Sequence, residues 1–334
     1  MMMMSVRASL REIRSVGLLG GGVMGSQIAH LLAFNGIHVV VKDVSNIILN
    51  QTIIQIEKQL DEQILFNKQR AKREIDRIEI NHGFRLTDLQ KATLRRKLRH
   101  ASVQINKKET LSHITSTLDY IDIRDCDMVI EAVIEDLDLK KRIFRELDDA
   151  CPPGVILASN TSTISISELA ASTRRPEMVI GMHFFNPPLA LPLIEIIPGV
   201  RTASSTLESV LDFSRGLRNY RRMMEPMKVK DLPGFVVNRL LLSMLREAFG
   251  LYHDGAASFE DIDKALKLGS GMPMGPFELA DLIGLDVLYD IGRNMKLSTR
   301  GKTMRGADRV LKHMYSMGLH GRKTGKGFYV YSQK

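Results

Sequence analysis

Apolar and polar positions alternate in blocks along the first 230 residues. Val16-Gly17-Leu18-Leu19 is a short apolar run that enters glycines, and a stretch of helical periodicity from Val23 to Asn35 follows it and stops at Gly36. Ile37 to Val41 is rich in β-branched residues and reads as a buried strand ending at Asp43. Residues 46–110 read as long polar helices. Met128 to Ile134 predicts another strand, followed by a helix ending near Pro152-Pro153. Val155 to Ala158 predicts a strand, Ser165 to Ala171 a helix and Met178 to Met182 a strand. Strand–helix alternation of this kind predicts a parallel, doubly wound sheet, because each crossover helix covers one face of it.

The pattern changes beyond Asp231-Leu232-Pro233-Gly234. Val236 to Tyr252, Phe259 to Lys267 and Phe277 to Asn294 all have helical periodicity, with the stiff connector Gly269-Ser270-Gly271-Met272-Pro273-Met274-Gly275-Pro276 between the last two. The expected organisation is an α/β domain over residues 15–230, carrying a helical insertion at 46–110, and a smaller all-helical domain over 231–334.

Composition narrows the class. The 334 residues suffice for two average domains, and 44% are hydrophobic. No uncharged apolar run approaches the roughly 18–20 residues of a membrane span. Cys126 and Cys151 are too few for a disulfide framework or a four-ligand zinc site, and no metal site is expected. They fit a reducing compartment, and the chain reads as soluble and intracellular. The segment from Met1 to Arg14 holds three arginines and one acid, which resembles a shortened organelle presequence, but a strand beginning at about Ser15 leaves little room for one. Ser332-Gln333-Lys334 is not a Ser-Lys-Leu address, so the compartment stays open.

The formal charge of +9 is concentrated: residues 66–109 hold 13 Lys/Arg and 5 Asp/Glu, leaving +1 for the rest of the chain. Such a segment is either a solvated helical face or a surface for a phosphate-rich ligand. Nucleic acid is not the expected partner, because Phe66 and Phe84 are its only aromatics.

Gly20-Gly21-Gly22-Val23-Met24-Gly25 fits G-x-G-x-x-G, follows a strand, opens a helix, and is trailed by Asp43 at the end of the next strand. Gly20 allows the tight turn, Gly22 admits a pyrophosphate to the backbone, and Gly25 lets helix and strand pack closely. The fold class is therefore a Rossmann-type doubly wound sheet, and Gly20, Gly22, Met24, Gly25 and Asp43 are the candidate cofactor contacts. A carboxylate at Asp43 accepts from ribose hydroxyls and repels a 2′-phosphate, favouring NAD over NADP.

Other polar residues fall where successive strands end: Glu131 with Glu135, Ser159-Asn160-Thr161-Ser162, and His183. Ligands of open α/β sheets bind at that edge. His183 leads into the stiff sequence Phe184-Phe185-Asn186-Pro187-Pro188, and Glu195 stands inside the apolar run Leu193-Ile194-Glu195-Ile196-Ile197. A buried carboxylate needs a partner, and His183 on a neighbouring strand is the economical one. That pairing is either a structural bridge or the orienting half of a general base.

The chain resembles the L-3-hydroxyacyl-CoA dehydrogenase family over about residues 15–331. Besides the glycine motif, the matching stretches are Val129–Glu135, Ala158–Ser162, Gly181–Pro187, Asp231–Arg239, Met272–Glu278 and Gly321–Tyr329. Several wordings are similar to the dehydrogenase part of multifunctional fatty-acid oxidation enzymes. The resemblance implies NAD-dependent oxidation of (S)-3-hydroxyacyl-CoA to 3-ketoacyl-CoA. It implies His183 as catalytic base, Glu195 as its partner acid, and Ser162 and Asn238 as the residues holding the substrate's reacting oxygen. It also implies Glu135, Lys140, Ser162, Asn186 and Lys323 as cofactor contacts. An acyl-CoA substrate and a homodimer through the helical domain follow from the same resemblance.

Two departures stand out. The segment after Asp43 is longer and more basic than the family's helical hairpin, and Gln59 and Phe66 occupy positions where that hairpin supplies Ser and Lys to CoA. Arg218 to Met227 is bulkier and more basic than expected. Competing readings are a related dehydrogenase of a CoA-free hydroxy acid (gulonate-type or lens-crystallin-like), a non-catalytic NAD-binding protein, and a nucleic-acid binder. Together, His183, Glu195, Ser162 and Asn238 argue against the non-catalytic reading.

Overall fold

The computed structural model describes residues 12–100, 103–298 and 305–331. The start of the chain through Arg11 and the closing Ser332-Gln333-Lys334 lie outside the described residues. The chain divides into two units, Met1–Asp231 and Leu232–Lys334.

The first unit is built on β1 (Ser15–Leu19), β2 (His38–Lys42), β3 (Ile114–Thr117), β4 (Met128–Glu131), β5 (Ile156–Ser159), β6 (Val179–Phe184), β7 (Leu193–Pro198) and β8 (Glu225–Lys228). They form one sheet in the order β3-β2-β1-β4-β5-β6-β7-β8. Every residue of β4, β5 and β6 is buried. Helices cover both faces of such strands, which is why they read as continuous apolar runs. The outermost strands carry the sequences ITST and EPMK. Short polar strands suit a sheet edge, where a backbone row faces outward, and they leave no hydrophobic signal to read.

The sheet is not wholly parallel, as the alternation had predicted: β6 and β7 pair antiparallel. Residues 185–192 are all that joins them, and a parallel crossover needs about a dozen or more. The strand expected over 128–134 stops at Glu131, and the chain turns into α5 (Leu137–Ala150), whose N-cap Asp136 accepts from the Leu139 N–H at 2.7 Å.

Helices α1 (Val23–Phe34), α6 (Ile166–Ala170) and α7 (Ser204–Gly216) complete the layers of this unit. The insertion consists of α2 (Asn46–His82), α3 (Asp88–His100) and α4 (Lys107–Ser112). Ser45 caps α2 by accepting from the Ile48 N–H, and Gly83 ends it at φ 68°. Its buried positions are Leu49, Thr52, Ile56, Leu60 and Ile75, a single stripe at helical spacing whose first four members lie in the first half of the helix.

The second unit contains α8 (Val237–His253), α9 (Phe259–Gly269), α10 (Pro276–Ile283), α11 (Leu285–Ser298) and α12 (Arg305–Ser316). The single helix expected over 277–294 is two, broken at Gly284, whose φ of 107° only glycine adopts readily. Leu245, Phe249, Phe277, Leu285 and Leu311 form its core. Two buried carboxylates lock its loops. Asp263 accepts from the Phe277 and Glu278 N–H groups at 2.7 and 2.9 Å, and Asp281 accepts from those of Phe328 and Tyr329 at 3.0 and 2.9 Å. Burial raises the Asp263 pKa, and these N–H donors oppose the shift. Much of the Met272–Glu278 and Gly321–Tyr329 wording is thus explained by packing.

Candidate active site

Each glycine of the first turn answers to a different neighbour. Gly20 has φ 97°, and a Cβ there would meet the Ala132 carbonyl oxygen at 2.7 Å. A Cβ on Gly25 would lie 1.8 Å from the Gly20 carbonyl oxygen, so α1 packs this closely only without a side chain. Around Gly22 a Cβ would meet nothing within 4 Å. Gly22 is also the N-cap of α1 and offers no side-chain hydrogen bond to its first turn. Open space above uncapped N–H groups at the positive end of a helix fits an anionic pyrophosphate. Met24 is partly buried against the core. Asp43 closes the turn, accepting from the Gly21 N–H at 2.7 Å and the Val44 N–H at 2.6 Å. Lys42 lies with its ammonium 4.2 Å from the centroid of the Tyr120 ring.

At the ends of β4 and β5 a charged network is buried. Glu131 is fully buried; its Oε1 accepts from Lys140 Nζ at 2.7 Å and its Oε2 from the Ser159 hydroxyl at 2.6 Å. Lys140, 1% exposed, also reaches Glu135 Oε2 at 3.1 Å. Glu135 Oε1 in turn accepts from the Thr161 hydroxyl (2.6 Å), the Ser162 N–H (3.0 Å) and the Thr163 N–H (3.1 Å). Burial works against the charge on Glu135, but Lys140 and these donors outweigh it and hold the carboxyl below its ordinary pKa. Lys140 therefore stands beneath the loop that carries Ser162, with Glu135 between them. Sequence reasoning treated Glu131 and Glu135 as a pair and missed Ser159 and Lys140 as the groups that make Glu131 affordable.

His183 and Glu195 face each other across the β6–β7 register, with Nδ1 to Oε2 at 2.8 Å. Both are buried, 5% and 0% exposed. An ionised Glu195 accepts the Nδ1 proton, which leaves the basic lone pair of the neutral ring on Nε2. Phe185 lies against the imidazole at 4.5 Å between centroids, its ring tilted by 56°. The Asn160 side chain ties β5 to this corner, accepting from the Phe184 N–H at 2.9 Å.

Asn186 is exposed three residues beyond His183, and its Oδ1 accepts from Gln27 Nε2 of α1 at 3.0 Å. Asn238 lies half-buried at the start of α8, and the Lys323 ammonium is paired with Asp286. Both belong to the second unit.

The two departures also have physical contents. Gln59 faces the core, its Oε1 2.9 Å from His30 Nδ1. From the 218–227 segment, the Tyr220 hydroxyl lies 2.7 Å from His30 Nε2 and its ring 5.0 Å from that of Phe34. Farther along the insertion, a cavity of about 580 Å³ opens between α2, α3 and residues 103–105, lined by Lys68, Arg70, Lys72 and Arg95 with Ile64 and Asn67 among the rest. No carboxylate is among its described lining residues. Among the described residues no cluster suited to a metal ion occurs, and no helix is long and apolar enough to cross a membrane.

Comparison with known proteins bears on the whole chain. Residues 15–93 and 85–224 match the family described as 3-hydroxyacyl-CoA dehydrogenase, NAD binding domain, and residues 234–331 match its C-terminal domain. The first match is split inside the basic insertion. A 3-hydroxybutyryl-CoA dehydrogenase of Clostridioides difficile is 46% identical over 231 residues, 69% of this chain and 80% of that protein. The mitochondrial hydroxyacyl-coenzyme A dehydrogenase of Homo sapiens is 35% identical, covering 96% of this chain and 91% of its own. The crystal structure of (S)-3-hydroxybutyryl-CoA dehydrogenase from Ralstonia eutropha superposes with a TM-score of 0.78 at 37% identity, covering 96% of this chain and 100% of that one.

Proposed function

The chain belongs to the 3-hydroxyacyl-CoA dehydrogenase family, and from that membership we propose that it interconverts an (S)-3-hydroxyacyl-CoA and the corresponding 3-ketoacyl-CoA with NAD, as a step of fatty-acid oxidation. The observation that carries this reading is the buried His183–Glu195 pair at 2.8 Å, set at the substrate edge of an NAD-binding sheet.

Bound NAD supplies the hydride acceptor. Gly20, Gly22, Met24 and Gly25 form the turn that would take its pyrophosphate, Asp43 its ribose, and Glu135, Asn186 and Lys323 the remaining contacts, with Lys140 reaching the cofactor side through Glu135. His183 Nε2 takes the C3 hydroxyl proton, and Glu195 stabilises the imidazolium that forms. Ser162 and Asn238 orient the alcohol, which converts loose encounter into near-attack geometry. Over residues 15–230 the chain binds the cofactor, and over 231–334 it completes the substrate site and pairs two copies. Exposed Leu240, Leu268 and Met317 in the helical unit support that pairing.

CoA recognition needs residues other than Gln59, which is committed to His30. The basic cavity supports a role for the insertion in holding the phosphates. If so, the KM for acyl-CoA rises steeply with salt, because exposed charge–charge contacts are screened; a salt-insensitive KM argues against it. The reaction itself is tested by NADH absorbance on adding acetoacetyl-CoA, with NADPH and free acetoacetate as controls. Loss that requires both NADH and the thioester supports the reading. NADH binding without turnover points to a CoA-free hydroxy acid and to Gln59 and Phe66 as where CoA recognition was lost.

A further inference from the structure

We infer that the Glu131–Lys140–Glu135 cluster keeps an unbalanced negative charge for the oxidised nicotinamide ring, strengthening NAD⁺ against NADH, an inference that rests on the reading of Glu135 as a cofactor contact. Two carboxylates share one ammonium here: Lys140 Nζ lies 2.7 Å from Glu131 Oε1 and 3.1 Å from Glu135 Oε2. Among the described residues no second cation pairs with either acid. Their other partners are neutral donors, the Val133 N–H and Ser159 hydroxyl for Glu131 and groups of Thr161, Ser162 and Thr163 for Glu135. Such donors favour the ionised form of a carboxyl but cancel no whole charge, so one negative charge is left over. The start of α5 adds about half a positive elementary charge, and the N-cap carboxylate of Asp136 already meets it.

Burial gives the excess its effect. The Glu131 and Lys140 side chains are 0% and 1% exposed and that of Glu135 is 32% exposed, so the cluster opens to a ligand only through Glu135. A buried charge without its counter-charge is costly. The nicotinamide ring is a cation in NAD⁺ and neutral in NADH, and the two cofactors are otherwise alike in shape. Only the oxidised ring supplies what the cluster lacks. Hydride arriving on the ring removes that counter-charge. The bound pair is therefore drawn towards NAD⁺ and the 3-hydroxyacyl thioester, while the equilibrium free in solution is unaffected. The two acids are visible in the sequence, but the imbalance appears only once a single ammonium is found between them.

The test compares the two oxidation states of the cofactor on one variant. Kd for NADH is read from the cofactor's own fluorescence, and Kd for NAD⁺ and for ADP-ribose, which lacks the ring, from displacement of NADH. Glu135→Gln keeps the size of the side chain and leaves the cluster neutral. We expect the ratio of the NAD⁺ Kd to the NADH Kd to rise roughly tenfold, about 1.4 kcal/mol. ADP-ribose should bind as it binds the native chain, which also certifies folding. Glu131→Gln neutralises the cluster from a fully buried position that no ligand touches, and the ratio should rise in the same sense by a smaller factor. Equal weakening of NAD⁺ and NADH in Glu135→Gln would make Glu135 a hydrogen-bonding contact only, overturning the inference and leaving the cofactor reading of Glu135 in place. Native affinity for both cofactors would remove that reading and the inference with it. A ratio that rises in Glu135→Gln but stays native in Glu131→Gln, with ADP-ribose still bound, would mean a contact local to Glu135 and also overturn the inference. If Glu131→Gln no longer binds ADP-ribose, the Glu135→Gln ratio decides alone.

Discussion

Two buried histidines of the first unit were given different partners. His183 is 5% exposed and His30 not at all, and each has its Nδ1 engaged, at 2.8 and 2.9 Å. At the edge of the sheet the partner is the carboxylate of Glu195; at the α1–α2 seam it is the amide oxygen of Gln59. Since Gln59 Oε1 can only accept, His30 carries its proton on Nδ1, and the Tyr220 hydroxyl donates to Nε2 at 2.7 Å. Burial, which the Gln59 bond opposes, lowers the His30 pKa to about 4. A carboxylate neighbour makes an imidazolium supportable inside a protein, whereas neutral neighbours hold the ring uncharged. The first arrangement can cycle a proton and the second can only hold helices together.

The sharpest way to break this contrast is to remove the ring at the sheet edge. His183→Gln should lower turnover ~10²–10⁴-fold, the usual cost of losing a general base, with NADH affinity and circular dichroism kept. Turnover within tenfold of native would end the assignment. Glu195→Gln should fall in the same range, because the amide cannot stabilise the imidazolium. Lys140→Met asks what a buried carboxylate costs once its cation is gone. It leaves the buried Glu131 without its cation, and we expect stability to drop by about 3–5 kcal/mol, read from urea unfolding. A loss below about 1 kcal/mol would mean that Glu131 is held by the Ser159 hydroxyl and by the Val133 N–H, which donates to its Oε1 at 2.8 Å, alone.

How much of this was legible depended on whether the cause lay nearby in the sequence. The doubly wound sheet was readable because its central strands are buried on both faces and advertise themselves as apolar runs. The edges β3 and β8 were not, since polar edge strands carry no such mark. The His183–Glu195 pair was legible because an acid inside an apolar run demands a partner and antiparallel neighbours bring one within twelve residues. Ser159 and Lys140 were both singled out, but not as partners of Glu131, because that role appears only when β4, β5 and α5 are brought together. Gln59 illustrates the opposite difficulty. Its position drew attention as a lost ligand contact, while its actual bond, to His30 on α1, is set by packing between helices that no local pattern reports.

The neutral histidine has its own signature. Its folded pKa of about 4 lies below an unfolded value of about 6.5. Between these values the unfolded chain binds a proton that the native chain refuses. The contribution is therefore whole above about pH 6.5 and is lost as pH falls towards 4. About 2.5 pKa units correspond to about 3 kcal/mol of stability. Urea unfolding at pH 7 and 4.5 should show this slope in the native chain and a smaller one in His30→Gln, which keeps an amide in the seam but cannot titrate. An unchanged slope would place the acid sensitivity elsewhere.

The smallest expected effect tests whether the seam reaches the 218–227 segment, for which the sequence offered no role. Tyr220 gives His30 Nε2 its hydrogen bond and packs edge-on against Phe34. Burial raises the pKa of its phenol, so it stays a protonated donor across the pH range of this test. Tyr220→Phe keeps the ring contact and deletes only the donor, leaving a buried imidazole nitrogen unsatisfied, a cost of about 1–3 kcal/mol. Because His30 remains buried, the pH slope should persist while the whole stability profile shifts down. A native profile would mean that the ring alone fastens the segment. A lost slope would mean that the phenol, more than burial, keeps His30 uncharged, and the contrast with His183 would then rest on the second partner of each ring and not on the first.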